Sequence, residues 1–96
     1  MVIEQLLRGK REEILRIAAQ RGARNVRLFG SVARGEASDG SDLDFLVDME
    51  PGRSLLDLAG LRNDLMDLLG REVDVVTEDG LYWLLRRKIL REAQPL

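Results

Sequence analysis

Gly30-Ser31-Val32-Ala33-Arg34-Gly35-Glu36-Ala37-Ser38-Asp39-Gly40-Ser41-Asp42-Leu43-Asp44-Phe45-Leu46-Val47 is the stretch that decides how this chain is read. It carries a turn at one end and two carboxylates at the other. Ahead of it, Val26-Arg27-Leu28-Phe29 is a short apolar-rich run of strand character, and Gly30 ends it because glycine accepts turn conformations that other residues resist. Ser31 is a natural helix N-cap. A short helical turn starting there would aim free backbone N–H groups and the positive end of a helix dipole at whatever lies above the glycine, an arrangement suited to phosphate.

At the far end the order is Asp42-Leu43-Asp44-Phe45-Leu46-Val47. In a strand this puts Asp42 and Asp44 on one face and Leu43, Phe45 and Val47 on the other. Two carboxylates one pleat apart repel, and without a cation one of them tends to hold its proton. Oxygen donors with no His or Cys nearby favour Mg²⁺, with Mn²⁺ as the alternative, over zinc. A third acid, Asp74, lies in the β-branched run Glu72-Val73-Asp74-Val75-Val76-Thr77, where a carboxylate between valines is unfavourable unless it meets a cation. Asp48 shares the face of Asp42 and Asp44 but sits further along the strand, and it stays outside the candidate site.

Between the two ends, Arg34 either reaches a triphosphate or pairs with Glu36 or Asp39, and Ser41 either positions phosphate or caps the loop. Beyond Pro51-Gly52, Ser54 can N-cap a helix that runs to about Leu69 and stops at Gly70. Strand, long helix, strand is the pattern of a crossover that returns the Asp74 strand beside the Asp44 strand in an α/β arrangement.

The remaining helices are read from periodicity. Ile3, Leu6, Leu7, Ile14, Ile17 and Ala18 recur at helical spacing, so residues from about Val2 to Gln20 form an amphipathic helix that covers the sheet. A last helix is expected from Asp79 to Glu92, with Leu81, Leu84, Leu85 and Ile89 on one side and Arg86, Arg87, Lys88 and Arg91 around the other. Tyr82 and Trp83 read as core or interface packing. Pro95 is expected to mark the end of regular structure.

With these residues, Gly-Ser-x-x-Arg-Gly-x5-Ser-Asp-x-Asp and a distant Asp, the chain resembles the nucleotidyltransferase superfamily typified by DNA polymerase β. Being short, it resembles the minimal nucleotidyltransferases, antitoxin partners of HEPN-domain toxins. The resemblance implies a polymerase β-like α/β (α+β) fold, a small mixed sheet covered by helices. It implies two Mg²⁺ ions on Asp42, Asp44 and Asp74, which are the catalytic residues, and a nucleotide held by Gly30, Ser31, Arg34 and Ser41. It also implies ATP as substrate and transfer of AMP to a hydroxyl, that of a tyrosine, on a HEPN toxin. Two alternatives stand beside it: an antitoxin that neutralises its partner by docking alone, and a small-molecule nucleotidyltransferase completed by a homodimer.

Composition bounds these readings. Ninety-six residues are expected to form one small domain, 1–96, and zero cysteines leave no disulfide or thiolate metal site. A net charge of −2 argues against broad nucleic-acid binding. No basic-then-apolar leader and no apolar run approaching about eighteen residues is present, so the expected location is the cytoplasm rather than a membrane.

Overall fold

Ile3, Leu7, Ile14 and Ala18 lie one or two turns apart on helix α1 (Ile3–Gln20), and all four are buried. In the computed structural model, which describes residues 3–38 and 40–96, this stripe packs on one face of a four-stranded sheet. Val2, expected to begin the helix, lies outside the described residues. Gly22, at a φ of 79°, turns the chain from α1 into strand β1 (Ala23–Phe29), which is longer than the four-residue run expected.

Strand β1 contains a bulge that the sequence reading did not foresee. Asn25 adopts a φ of 52° and the pairing register shifts between Arg24 and Arg27. Asparagine tolerates this left-handed conformation better than most residues, and its side-chain amide donates to Asp48 Oδ2 at 3.0 Å. Two consecutive exposed residues, Arg24 and Asn25, are thereby accommodated. Val26 and Leu28 then face the core, while Arg27 and Phe29 take the opposite face.

Strand β2 (Leu43–Met49) runs antiparallel to β1, and strand β3 (Val73–Thr77) runs parallel to β2. Helix α2 (Leu55–Leu69) makes the crossover between them. Ser54 caps it as expected, through a reciprocal pair of bonds with Asp57, and Gly70 closes it in the left-handed conformation. Its buried residues Leu61, Leu65 and Leu69 join the α1 stripe, Leu43, Phe45 and Val47 of β2, and Val73 and Val75 of β3 in one core. Arg21, just past α1, ties the two helices with a 2.9 Å bond from Nε to Asp64.

The C-terminal region departs from expectation. In place of one helix from Asp79 to Glu92 there is a 3₁₀ turn (Glu78–Gly80) and a shorter helix α3 (Trp83–Glu92). Thr77 caps the 3₁₀ turn by accepting from the Gly80 N–H, which spends the local turn-forming residues before α3 begins. None of Leu81, Leu84, Leu85 and Ile89 is buried, and Tyr82 and Trp83 are exposed, which removes the core half of their expected core-or-interface packing. Pro95 does not end the regular structure either. Strand β4 (Gln94–Pro95) pairs antiparallel with β1 at the edge of the sheet, giving the order β3-β2-β1-β4. An edge strand tolerates proline because the missing N–H faces no neighbour. No helix among the described residues is long and apolar enough to cross a membrane.

Candidate active site

Gly30 follows β1 directly and sits at a φ of 74°. The chain then makes a single tight turn rather than a helix: Arg34 N–H donates to Gly30 O at 3.1 Å and Glu36 N–H to Ser31 O at 2.9 Å. Gly35, at a φ of 72°, lets the chain leave the turn. Gly30 is also needed for space. A Cβ there would overlap the carboxylate of Asp44, which faces it from the neighbouring strand. The left-handed backbone and the close approach both require glycine.

The register explains why Asp44 arrives at that point. Phe29 pairs with Asp44 across the β1–β2 ladder, and Asp44 pairs with Asp74 across the parallel β2–β3 ladder. Register partners on adjacent strands present side chains on the same face, so the crossover brings Asp44 and Asp74 side by side below the Gly30 turn. Asp42 immediately precedes β2 instead of lying in it, and it is exposed at the strand's entry. Its proposed pleat-to-pleat alignment with Asp44 therefore becomes a looser one. Among the described residues no three acids, His or Cys form a ready-made cage for an ion. The acids sit on an open face of the sheet.

Their crowding is felt electrostatically. The Asp44 carboxyl is pushed above its ordinary range, first by partial burial, then by the charge of Asp74 and that of Asp42, with Arg34 opposing and Glu92 adding to the rise. Asp48, on the same face, is occupied otherwise. It accepts from Arg27 Nη2 at 3.0 Å, and Arg27 also lies 3.5 Å from Glu78.

Arg34 and Ser41 are both engaged within the chain. Arg34 donates to Glu36 at 3.1 Å and to Glu92 at 3.0 Å; Asp39, the other partner considered for it, lies outside the described residues. Ser41 Oγ accepts from Ser38 N–H at 2.9 Å, while Ser41 N–H donates to Ser38 O at 3.0 Å, so the hydroxyl closes the loop ahead of Asp42.

Glu92 is the site residue that sequence reasoning missed. Its Oε1 accepts from Gly30 N–H at 2.6 Å as well as from Arg34. A signal was available: Glu92 is an acid in the last turn of a helix otherwise rich in Arg and Lys, a place where the dipole disfavours negative charge. Such a residue needs compensation from elsewhere, and the Gly30 turn gives it.

The sheet thus delivers acids from adjacent parallel strands to the foot of a glycine turn. Residues 11–96 match the family described as the nucleotidyltransferase domain. Over 83 residues the chain is 42% identical to a Methanocaldococcus jannaschii protein provisionally named a protein adenylyltransferase, spanning 86% of this chain and 89% of that one. It is 39% identical over 90 residues to the protein adenylyltransferase MntA of Thermococcus cleftensis, spanning 94% of this chain and 88% of the relative. A solved structure, described provisionally as a minimal nucleotidyltransferase, superposes with a TM-score of 0.87 at 55% identity, covering 100% of this chain and 97% of that one. A toxin–antitoxin structure with AMP-PNP shares the fold at a TM-score of 0.74 and 20% identity, covering 88% and 69%. The chain belongs to the nucleotidyltransferase-domain family, among its minimal nucleotidyltransferases.

Proposed function

We propose that this chain is a Mg²⁺-dependent protein adenylyltransferase. It moves AMP from ATP to a hydroxyl, that of a tyrosine, on a HEPN-domain toxin, and so acts as the antitoxin of a type VII-like pair in the cytoplasm. The observation that carries this reading is the placement of Asp44 beside Asp74 directly under the Gly30 turn. The protein adenylyltransferase names of its relatives support the reaction class. The toxin–antitoxin neighbour supports the setting.

The donor set suits a hard divalent cation. It is all oxygen, the chain has neither His nor Cys, and a positive ion would relieve the repulsion that raises the Asp44 carboxyl. Asp42, Asp44 and Asp74 would hold two such ions, Mg²⁺ or Mn²⁺, with phosphate oxygens of the nucleotide completing the coordination; the open arrangement of the acids accords with that division. The chemistry such ions would supply there is neutralisation of charge on the phosphates and on the pyrophosphate leaving group.

The chain's own groups do the rest. Gly30 and Ser31 hold the terminal phosphates through the turn, Arg34 adds a guanidinium beside them, and Ser41 keeps the loop before Asp42 in place. Asp74, the most exposed strand acid, accepts the proton of the attacking hydroxyl. That oxygen bonds to the α-phosphorus of ATP while the bond from the α-phosphorus to the bridging oxygen breaks, giving adenylylated acceptor and pyrophosphate.

Incubation with labelled ATP, Mg²⁺ and a candidate toxin, repeated with Asp42→Asn plus Asp44→Asn, tests this. Label on the toxin that vanishes in the double variant is expected. A second reading, neutralisation by docking alone, is favoured by the exposure of Trp83 and Leu84 on α3 at 73% and 58%. It predicts neutralisation without label, unaffected by the two substitutions.

A further inference from the structure

The turn assigned above to the terminal phosphates already holds an anion, and that anion belongs to the chain itself. Glu92 Oε1 takes the Gly30 N–H and one arm of Arg34 together, and the Glu92 side chain is only 13% exposed. A carboxylate oxygen and a phosphate oxygen make the same demands on these donors: both are anionic acceptors, and one N–H serves one of them well. They exclude each other.

We propose that Glu92 is a built-in competitor for the nucleotide's phosphates, a plug that ATP must displace before the site can work. This inference rests on the phosphate reading of the Gly30 turn.

Two features make the plug removable. Helix α3, which carries Glu92, buries none of its residues, so little apolar contact opposes its movement. The segment after it is held by the two-residue strand β4, by bonds from Leu96 N–H to Val26 O and from Arg11 Nε to Leu96 O, both 3.1 Å, and by the half-buried Leu96, all of them beyond Glu92 itself.

The place that would be vacated is suited to the incoming group. A shallow cleft of about 190 Å³ between the turn and α3 is lined by Arg34 and Lys88 as well as by Phe29, Leu85 and Ile89. With Glu92 withdrawn, two cations and the Gly30 N–H face that cleft without an internal counter-charge from α3. The same residue therefore holds the turn in shape before nucleotide arrives and sets how much nucleotide is needed.

The experiment is calorimetric binding of a non-hydrolysable ATP analogue, and of inorganic tripolyphosphate, to the wild-type chain and to Glu92→Gln and Glu92→Ala. Each is measured with and without Mg²⁺, with Glu13→Gln as a control for net charge; Glu13 is on α1, 3.8 Å from Lys10 and away from the turn. Thermal melts establish that each variant is folded. Both Glu92 variants are expected to bind both ligands about tenfold more tightly than the control, the gain expected if the open site makes up about a tenth of the wild-type population. Equal affinity in wild type, control and Glu92 variants overturns the plug and leaves the phosphate reading standing. Weaker binding confined to the Mg²⁺ arm also overturns it, since Glu92 would then be helping to hold the metal. Absence of binding in every folded variant, wild type included, overturns both the plug and the assignment of the turn.

Discussion

The two faces of one sheet carry opposite chemistry, and strand β2 shows it residue by residue. Phe45 points into the core and is wholly buried, while Asp44, one position earlier, lies among other acids on the far face. The covered face is sealed by α1 and α2, and among the described residues no polar side chain is buried in it. The acidic face carries the Gly30 turn, the 3₁₀ turn and α3, a helix with no fully buried residue. Leu46 is the exception on the acidic face, fully buried in register between Arg27 and Val76. The lesson is that stability is concentrated on one side of the strands and repulsion on the other, so the same seven residues both hold the fold and strain it.

Changes on the two faces should therefore separate activity from stability. The largest effect is expected on activity alone: Asp44→Asn should lower AMP transfer by about 10²–10³-fold, as loss of a principal charge-stabilising group does, with the circular dichroism spectrum unchanged. A loss of folded structure in that variant would break the comparison. On the other face, Phe45→Ala should destabilise by about 3–5 kcal/mol in denaturant titrations, because it empties a fully buried aromatic site. For a domain of this size that is a large share of the total stability. A value below about 1 kcal/mol would mean that the core is not concentrated where the burial places it.

A smaller effect sharpens the covered face. Ser54→Ala removes the acceptor for Leu56 N–H and half of the reciprocal cap at the start of α2, and about 1 kcal/mol should be lost. The equivalent position on α3, Tyr82, makes no side-chain cap bond, so Tyr82→Ala should leave stability within about 0.5 kcal/mol. Equal losses at the two helix starts would remove the distinction between a helix that seals the core and one that does not.

Legibility in the sequence followed the same divide. Helix α2 could be read from Ser54, Gly70 and the leucines between because its caps and its apolar stripe are local signals. The return of the Asp74 strand beside the Asp44 strand could be read because a strand, a helix of that length and a second strand leave few alternatives to a crossover, while the residue register could not. Other long-range decisions were not legible. The bulge at Asn25 and the pairing of Pro95 with Arg27 join residues whose sequence neighbours carry no periodic or capping signal for them, and the misplaced charge of Glu92 signals the need for a partner without naming Gly30. Leu84 and Leu85 have helical spacing yet stay exposed, since periodicity marks a face that can be buried and not the presence of a surface to bury it. The short offset of Asp42 from β2 is a strand-end effect: the backbone pairing begins with Leu43, whose N–H donates to Glu72 O.

The smallest prediction concerns stability without metal, and its sign follows from the crowding. The Asp44 carboxyl titrates above its ordinary range when folded, so between its unfolded and folded values the native state binds the proton that the unfolded state releases. Stability from this group is therefore full below the unfolded value and is lost as pH rises through the folded one. At neutral pH the ionised group works against the fold. Asp44→Asn should accordingly raise the Tm of the metal-free protein by a few degrees, given that about 1 kcal/mol corresponds to about 4–8 °C in a domain of this size. The gain should shrink toward zero as the buffer is acidified below the carboxylate range, where the wild-type group is neutral in both states. Mg²⁺ should raise the Tm of the wild type more than that of the variant, since the variant has already lost part of the repulsion that the ion would relieve. A variant less stable than wild type in metal-free buffer at neutral pH would show that Asp44 serves the fold as well as the site, and the two faces of β2 would then no longer divide stability from function.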